Sequence, residues 1–326
     1  MSPEVRGLLE QVLAHLVPVD EPLVLISQIQ RSGGSLLTQL LDGHPALHNH
    51  PAELHIGTPK DVWPEIPLGT SAKKQFAILR ERLNERFFAE GYRKRMPEHE
   101  QYDEETFPFL QPPALLETLF RRVAPERPER AREVLDAYFT AYFNSWLDNG
   151  HLRDGPKRWV TAFTPRLAWG ASRRDFAADY PDGRLIAIVR KPHDWYASAR
   201  AHHPRYADCE SSASEWMRGA HEIADAARER PESTLVILFE DLVDRTEEVM
   251  RLVSEWLGIA YAEILVRPTF NDMPILANSS FQIERHGILA DAVGRGRLLS
   301  DRESELIDRV AADAHALATS FAARPS

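Results

Sequence analysis

Short, unbroken apolar runs alternate with segments of helical period along much of this chain. Val24, Leu25 and Ile26 open the pattern, Leu185–Val189 (LIAIV) and Leu235–Phe239 (LVILF) repeat it, and Trp159–Phe163 is a shorter candidate. Runs without polar alternation suit strands covered on both faces, as in a parallel sheet. Around them, apolar residues return every three to four positions. Val5, Leu8, Leu9, Val12, Leu13 and Leu16 share one helical face between Pro3 and Leu16. Leu36, Leu37, Leu40 and Leu41 follow the first run at the same spacing, with Gly43 and Pro45 as stop signals. Further helices are predicted from Thr164-Pro165 to about Tyr180, over His193–His202, from Arg245 to a stop at Gly258, and over Asp301–Phe321. Strands alternating with helices predict an α/β, three-layer fold: a central parallel sheet flanked by helices.

The rhythm breaks once. After Pro45 comes a histidine-rich connector ending at His55, and from about residue 60 to 155 no strand pattern is visible. Tracts such as AKKQFAILRERLNERFFAEGYRKR and REVLDAYFTAYFNSWLDNG read as helices, interrupted by prolines. This stretch reads as a helical insertion within one domain spanning residues 1–326. Its aromatics, among them Trp63, Phe87, Tyr92, Phe107, Tyr142 and Trp146, suit a core, with some available for an acceptor pocket or lid.

Composition narrows the class. The chain has 326 residues, enough for one large domain, and its net charge of −10 argues against nonspecific nucleic-acid binding. Cys209 is the single cysteine, so no intramolecular disulfide forms, which fits a reducing compartment. No leader-like apolar stretch opens the sequence and no run reaches membrane-span length. The expectation is a cytoplasmic protein without a membrane span.

The candidate chemistry starts at Arg31-Ser32-Gly33-Gly34-Ser35, between the first strand and its helix. A helix start presents free N–H groups and the positive end of its dipole to an anion. Glycines allow close backbone approach, and Arg31 adds a cation with bidentate geometry. The turn lacks the lysine of G-x-x-x-x-G-K-[ST], which argues against a Mg-dependent NTPase. The plainer reading is an ordinary βα turn with one surface arginine. Ligands of such sheets bind at the carboxyl ends of strands. Arg190 stands at another such end, with Ser198 eight residues on, in the following helix.

The segments QRSGGSLL and VRKPHDWYAS, followed by LFEDLVDRTEEVMRLVSEWLGI and PTFNDMPILANSSF, resemble in type and order the motifs of the PAPS-dependent sulfotransferases. The resemblance covers residues 23–55 and 157–300 best, and ProAlaGluLeuHis (51–55) is similar to text in sulfotransferase domains of polyketide assembly lines. It implies a P-loop-NTPase-like fold and transfer of a sulfuryl group from 3′-phosphoadenosine-5′-phosphosulfate (PAPS, product PAP) to an acceptor hydroxyl. That acceptor is a small molecule, lipid, glycan or carrier-bound intermediate. Arg31 would bridge the 5′-phosphate and the sulfuryl group, supported by the N–H groups of Ser32, Gly33, Gly34, Ser35 and Leu36. Arg190 and Ser198 would hold the 3′-phosphate, and the basic Arg295-Gly296-Arg297 turn would close over it.

The acceptor proton needs a base. Glu53 is favoured, with His55 as its rival. His48, His50 and His55 also have metal-ligand chemistry, but sulfuryl transfer requires no metal and none is expected. Two departures stand out: Gly34 replaces a usual threonine, and Phe163 replaces a lysine common in a KTP segment, here AFTP. Alternatives are a catalytically silent nucleotide-binding protein of the same fold or a P-loop kinase.

Overall fold

The structure is a computed structural model that describes residues 3–56, 62–93, 106–166, 169–277 and 285–325. The side chains of Val5, Tyr92 and Phe107, the first residues of the insertion and the end of the 268–281 motif lie outside the described residues.

Five parallel strands form the central sheet: β1 (Leu23–Gln28), β2 (Leu47–Glu53), β3 (Trp159–Phe163), β4 (Arg184–Val189) and β5 (Thr234–Leu238), in the order β2-β3-β1-β4-β5. β1 lies at the centre, with Leu25 opposite Ala162 on one side and Leu185 on the other. All six of its residues are buried. Side chains alternate faces along a strand. Leu23 and Leu25 enter one core layer, and Val24 and Ile26 enter the other, where Leu37, Leu40 and Leu41 pack. Burying each such aliphatic contributes about 1.5–3 kcal/mol, so an unbroken apolar run is what a two-sided strand demands.

Helices α1 (Pro3–Ala14), α2 (Gly34–Leu41), α7 (Gly170–Asp179), α8 (Pro192–His202), α11 (Thr246–Leu257) and α12 (Asp301–Ser320) follow the sequence reading closely, whereas α10 (Phe239–Asp244) was not expected and takes Phe239 out of the strand it was read into. Gly258 ends α11 at φ 65°, the left-handed cap that glycine tolerates best. The insertion carries α3 (Ala72–Leu79), α4 (Arg82–Glu90), α5 (Pro113–Val123) and α6 (Ala131–Ser145).

Three features depart from the sequence reading. The histidine-rich connector is not a loop but edge strand β2, paired with β3 through Leu47–Trp159 and His48–Val160. Its polar residues hid it, and the insertion covers them: the His48 ring lies 5.0 Å from Phe143 and the His50 ring 4.6 Å from Tyr142. The insertion also holds a two-residue antiparallel pair, Tyr92–Arg93 with Thr106–Phe107. Finally, α9 (Cys209–Glu229) was not anticipated; Ala213, Trp216, Ala220 and Ile223 bury one face of it at helical spacing. Among the described residues, no helix is long and apolar enough to cross a membrane.

Candidate active site

The turn after β1 is held from inside. Gln28, the last residue of β1, is 6% exposed, and its Oε1 accepts the N–H groups of Ser32 (3.0 Å) and Gly34 (2.6 Å). Arg31 takes φ 71°, uncommon for a residue with a Cβ, while Gly33 at φ 104° caps α2. A side chain at Gly33 would meet Phe239 Cδ2 at 2.5 Å. A Cβ at Gly34 would overlap the Phe163 ring, with Cζ at 2.6 Å. The two departures noted in the sequence are therefore one: the ring at 163 occupies the space that any side chain at 34 would need. Ser32 is fully buried, its hydroxyl without a partner among the described residues, so Ser35 rather than Ser32 brings a hydroxyl to the surface of the turn.

Arg190 leaves the end of β4 and is 3% exposed. Its guanidinium donates to the carbonyls of Arg31 (2.9 Å) and Ala292 (2.6 Å) and lies 4.3 Å from the centre of the Phe239 ring. Burial lowers its pKa to about 10, against the pull of Asp194 and Glu240. Its Nε, also buried, has no hydrogen-bond acceptor among the described residues. A buried cation with spare donor capacity is costly unless an anion completes it. Arg190 thus staples two segments, the turn after β1 and the chain near Ala292.

Asp194, in the first turn of α8, holds that second segment. Its carboxylate accepts the N–H groups of Gly294 (2.8 Å) and Gly296 (2.6 Å). A side chain at Gly296 would meet His193 Cβ at 2.8 Å, so the glycine permits this approach. Arg295 is thereby buried and donates from Nε to the Asp291 carbonyl (2.9 Å), whereas Arg297 is exposed. Arg31, Gly33, Gly34, Ser35, Leu36, Arg190, Ser198 and Arg295 all line one cleft of about 670 Å³. Four segments far apart in sequence converge there, three of them bringing a cation. Gly296 and Arg297 are adjacent but do not line it.

A second cleft, about 810 Å³ and open to solvent, shares Gln28, Arg31 and Ser35 with the first. Its other walls include Glu53, Phe163, His202, His203, Arg205 and Tyr206. His202 and His203, read as plain surface, line this wall. Arg205 is fixed by Tyr206 Oη (2.6 Å) and Glu215 (2.8 Å). None of the described insertion residues lines this cleft; its aromatics, such as Phe109, Tyr138 and Tyr142, are core.

Glu53 lines this wall and His55 is its neighbour: His55 Nε2 lies 3.1 Å from Glu53 Oε1. Behind them is a buried network that the sequence did not disclose. Glu81 Oε2 accepts the His55 backbone N–H (3.0 Å), while its Oε1 accepts from Tyr138 Oη (2.6 Å) and pairs with His50 Nε2 (3.2 Å). Burial pushes the Glu81 pKa up, but His50 and the other donors outweigh it and hold the carboxyl below its ordinary value. His48 is buried elsewhere, and desolvation lowers its pKa to about 4. The three histidines do not converge, and among the described residues no group of three or more His, Cys, Asp or Glu is placed to hold a metal.

Gln28, Glu81 and Asp194 were missed because each acts through partners remote in sequence or through backbone N–H groups. Only the position of Gln28, at a strand end before a glycine turn, could have flagged it.

This architecture is a P-loop-like, three-layer α/β fold. The sulfotransferase family matches residues 22–263, and the chain belongs to that family. The sulfotransferase domain of the Synechococcus PCC 7002 olefin synthase is similar in structure, with a TM-score of 0.56 at 18% identity over 94% of this chain and 97% of that one. The sulfotransferase domain of the curacin biosynthetic pathway aligns with a TM-score of 0.48 at 17% identity over 89% and 96%. No curated protein matches the sequence.

Proposed function

We propose that the protein transfers a sulfuryl group from PAPS to an acceptor hydroxyl, with residues 1–326 working as one unit. The observation that carries this reading is the two-cleft arrangement: a cleft where three arginines converge, two of them buried, meets a cleft bearing a carboxylate, and Arg31 and Ser35 belong to both. The residues fit a doubly anionic donor. Arg190, with its unsatisfied Nε, Ser198 and Arg295 would hold the 3′-phosphate, and Arg31 with the start of α2 the 5′ end. When bound, the donor supplies an activated sulfur.

Positioning and charge stabilisation carry such transfers. Glu53 takes the proton of the acceptor hydroxyl as the acceptor oxygen bonds to sulfur. The bond from sulfur to the 5′-phosphate oxygen breaks, its electron pair stays on that oxygen, and Arg31 neutralises the charge developing there. His55 orients Glu53, and Glu81 fixes the His55 backbone. No metal takes part. The acceptor is hydroxyl-bearing, and the half-buried Cys209 thiol is consistent with a reducing, cytoplasmic setting. A P-loop kinase would want a lysine in the turn, where this chain has none.

Calorimetric titration with PAP tests the reading. Micromolar binding by the wild type, lost in Arg190→Ala, is expected; a wild type that does not bind overturns it.

A further inference from the structure

Gln28 lies where the two clefts meet and lines both. Its Oε1 is committed to the N–H groups of Ser32 and Gly34. Both partners are donors, so only the oxygen end of the amide can face them, and this fixes the orientation of the group. The NH₂ end is turned away from the turn and remains as the polar end of a side chain that borders both clefts. Arg31 and Ser35 border the same junction, with Glu53 on the acceptor wall.

The junction lacks two donors that the resembling family places there. Position 34 carries no hydroxyl and position 163 no ammonium; the Phe163 ring fills that corner. An amide whose oxygen accepts two hydrogen bonds is polarised, which strengthens its N–H groups as donors. It is also held in place before any ligand arrives, so it need not reorganise during a reaction.

We propose that the Gln28 carboxamide is a substrate-contacting donor, aimed at the oxyanion between the two clefts. On the functional reading above, on which this inference rests, that oxyanion is the transferring sulfuryl group. Arg31 then meets the bridging side of the group, and Gln28 supplies a neutral, immobile pair of N–H groups to its outer oxygens.

The test compares affinity for PAPS with affinity for PAP, which lacks the sulfuryl group. Calorimetry is run on the wild type, Gln28→Glu and Gln28→Met, with thermal melting of each. Gln28→Glu keeps an oxygen for Ser32 and Gly34 but turns the donor into an acceptor. It should melt near the wild type, and its preference for PAPS over PAP should fall about tenfold or more, the worth of a hydrogen bond to a charged group. Gln28→Met removes the amide without adding charge; it should melt lower and show the same fall in preference. Should Gln28→Glu fail to fold, Gln28→Met decides alone. An unchanged ratio in the folded variants, with both affinities equal to the wild type or lowered in step, would leave Gln28 as a clamp of the turn and overturn the proposal. A wild type that binds neither compound overturns the functional reading itself.

Discussion

The two clefts share three residues and differ in almost everything else. The first gathers three arginines from three separate segments, two of them, Arg190 and Arg295, buried and bonded to backbone carbonyls. The second is open and polar, with an edge strand on one side and the last turn of α8 on the other. One region is organised before a ligand arrives; the other leaves room for ligands of different shape. On the proposed function, a fixed donor site beside an adaptable acceptor site would let one fold serve many acceptors, since the anion is constant and the hydroxyl is not.

The sharpest break of this contrast is at Glu53. Glu53→Gln should lower kcat by about 10²–10⁴-fold, the usual worth of a general base, and leave PAP affinity unchanged. Unchanged turnover would move the proton acceptor elsewhere in the second cleft. Next is the first cleft itself: Arg190→Ala removes two carbonyl bonds as well as the charge, and PAP affinity should fall about 10³-fold. Arg190→Lys should recover only part, because a point charge cannot bridge Arg31 O and Ala292 O as a guanidinium does.

A smaller effect reads the support behind the second cleft. Glu81→Gln weakens a buried carboxylate network with His50, Tyr138 and the His55 backbone N–H and should cost about 2–3 kcal/mol in denaturant unfolding. The pH dependence follows from the direction of its pKa. Folded Glu81 binds its proton less readily than unfolded, so its contribution is complete above the ordinary value of 4.5 and is lost as pH falls through the lower folded pKa. A wild-type acid transition with the same midpoint as Glu81→Gln would contradict this. Smallest is the corner between the clefts. Gly34→Ala should cost about 1–3 kcal/mol through overlap with Phe163, and close to nothing in a Phe163→Ala background. Additive losses would show that the two positions are independent.

The same contrast decides what could be read from the sequence. Strands β1, β4 and β5 sit at the middle and one side of the sheet, where burial on both faces forces unbroken apolar runs. Strand β2 could not be seen that way. His48, Asn49 and His50 look like loop, and their pairing with β3 is made tolerable by tertiary partners: Phe143 on His48, Tyr142 and Glu81 on His50, and Thr38 and Thr161 on Asn49. Arg31, Arg190, Ser198 and Arg295 were singled out because a doubly anionic ligand would need cations at the ends of strands, and the structure places all four in one cleft. Arg297 shows the limit: it shares its turn with Arg295, yet the Asp194 clamp on Gly294 and Gly296 leaves one arginine buried and the other exposed. Glu53 and His55, rivals on paper, are hydrogen-bonded neighbours, a relation that residue spacing alone does not specify.

The contact between Gly34 and Phe163 also constrains the history of the chain. A side chain gained at 34 while the ring remains has nowhere to go, and a lysine gained at 163 without other change would take its charge into a buried position. The two positions can be exchanged for threonine and lysine only in a particular order, through an intermediate with a small residue at 163. Positions 34 and 163 are therefore coupled, and a change at either one is tolerated or not according to the residue at the other.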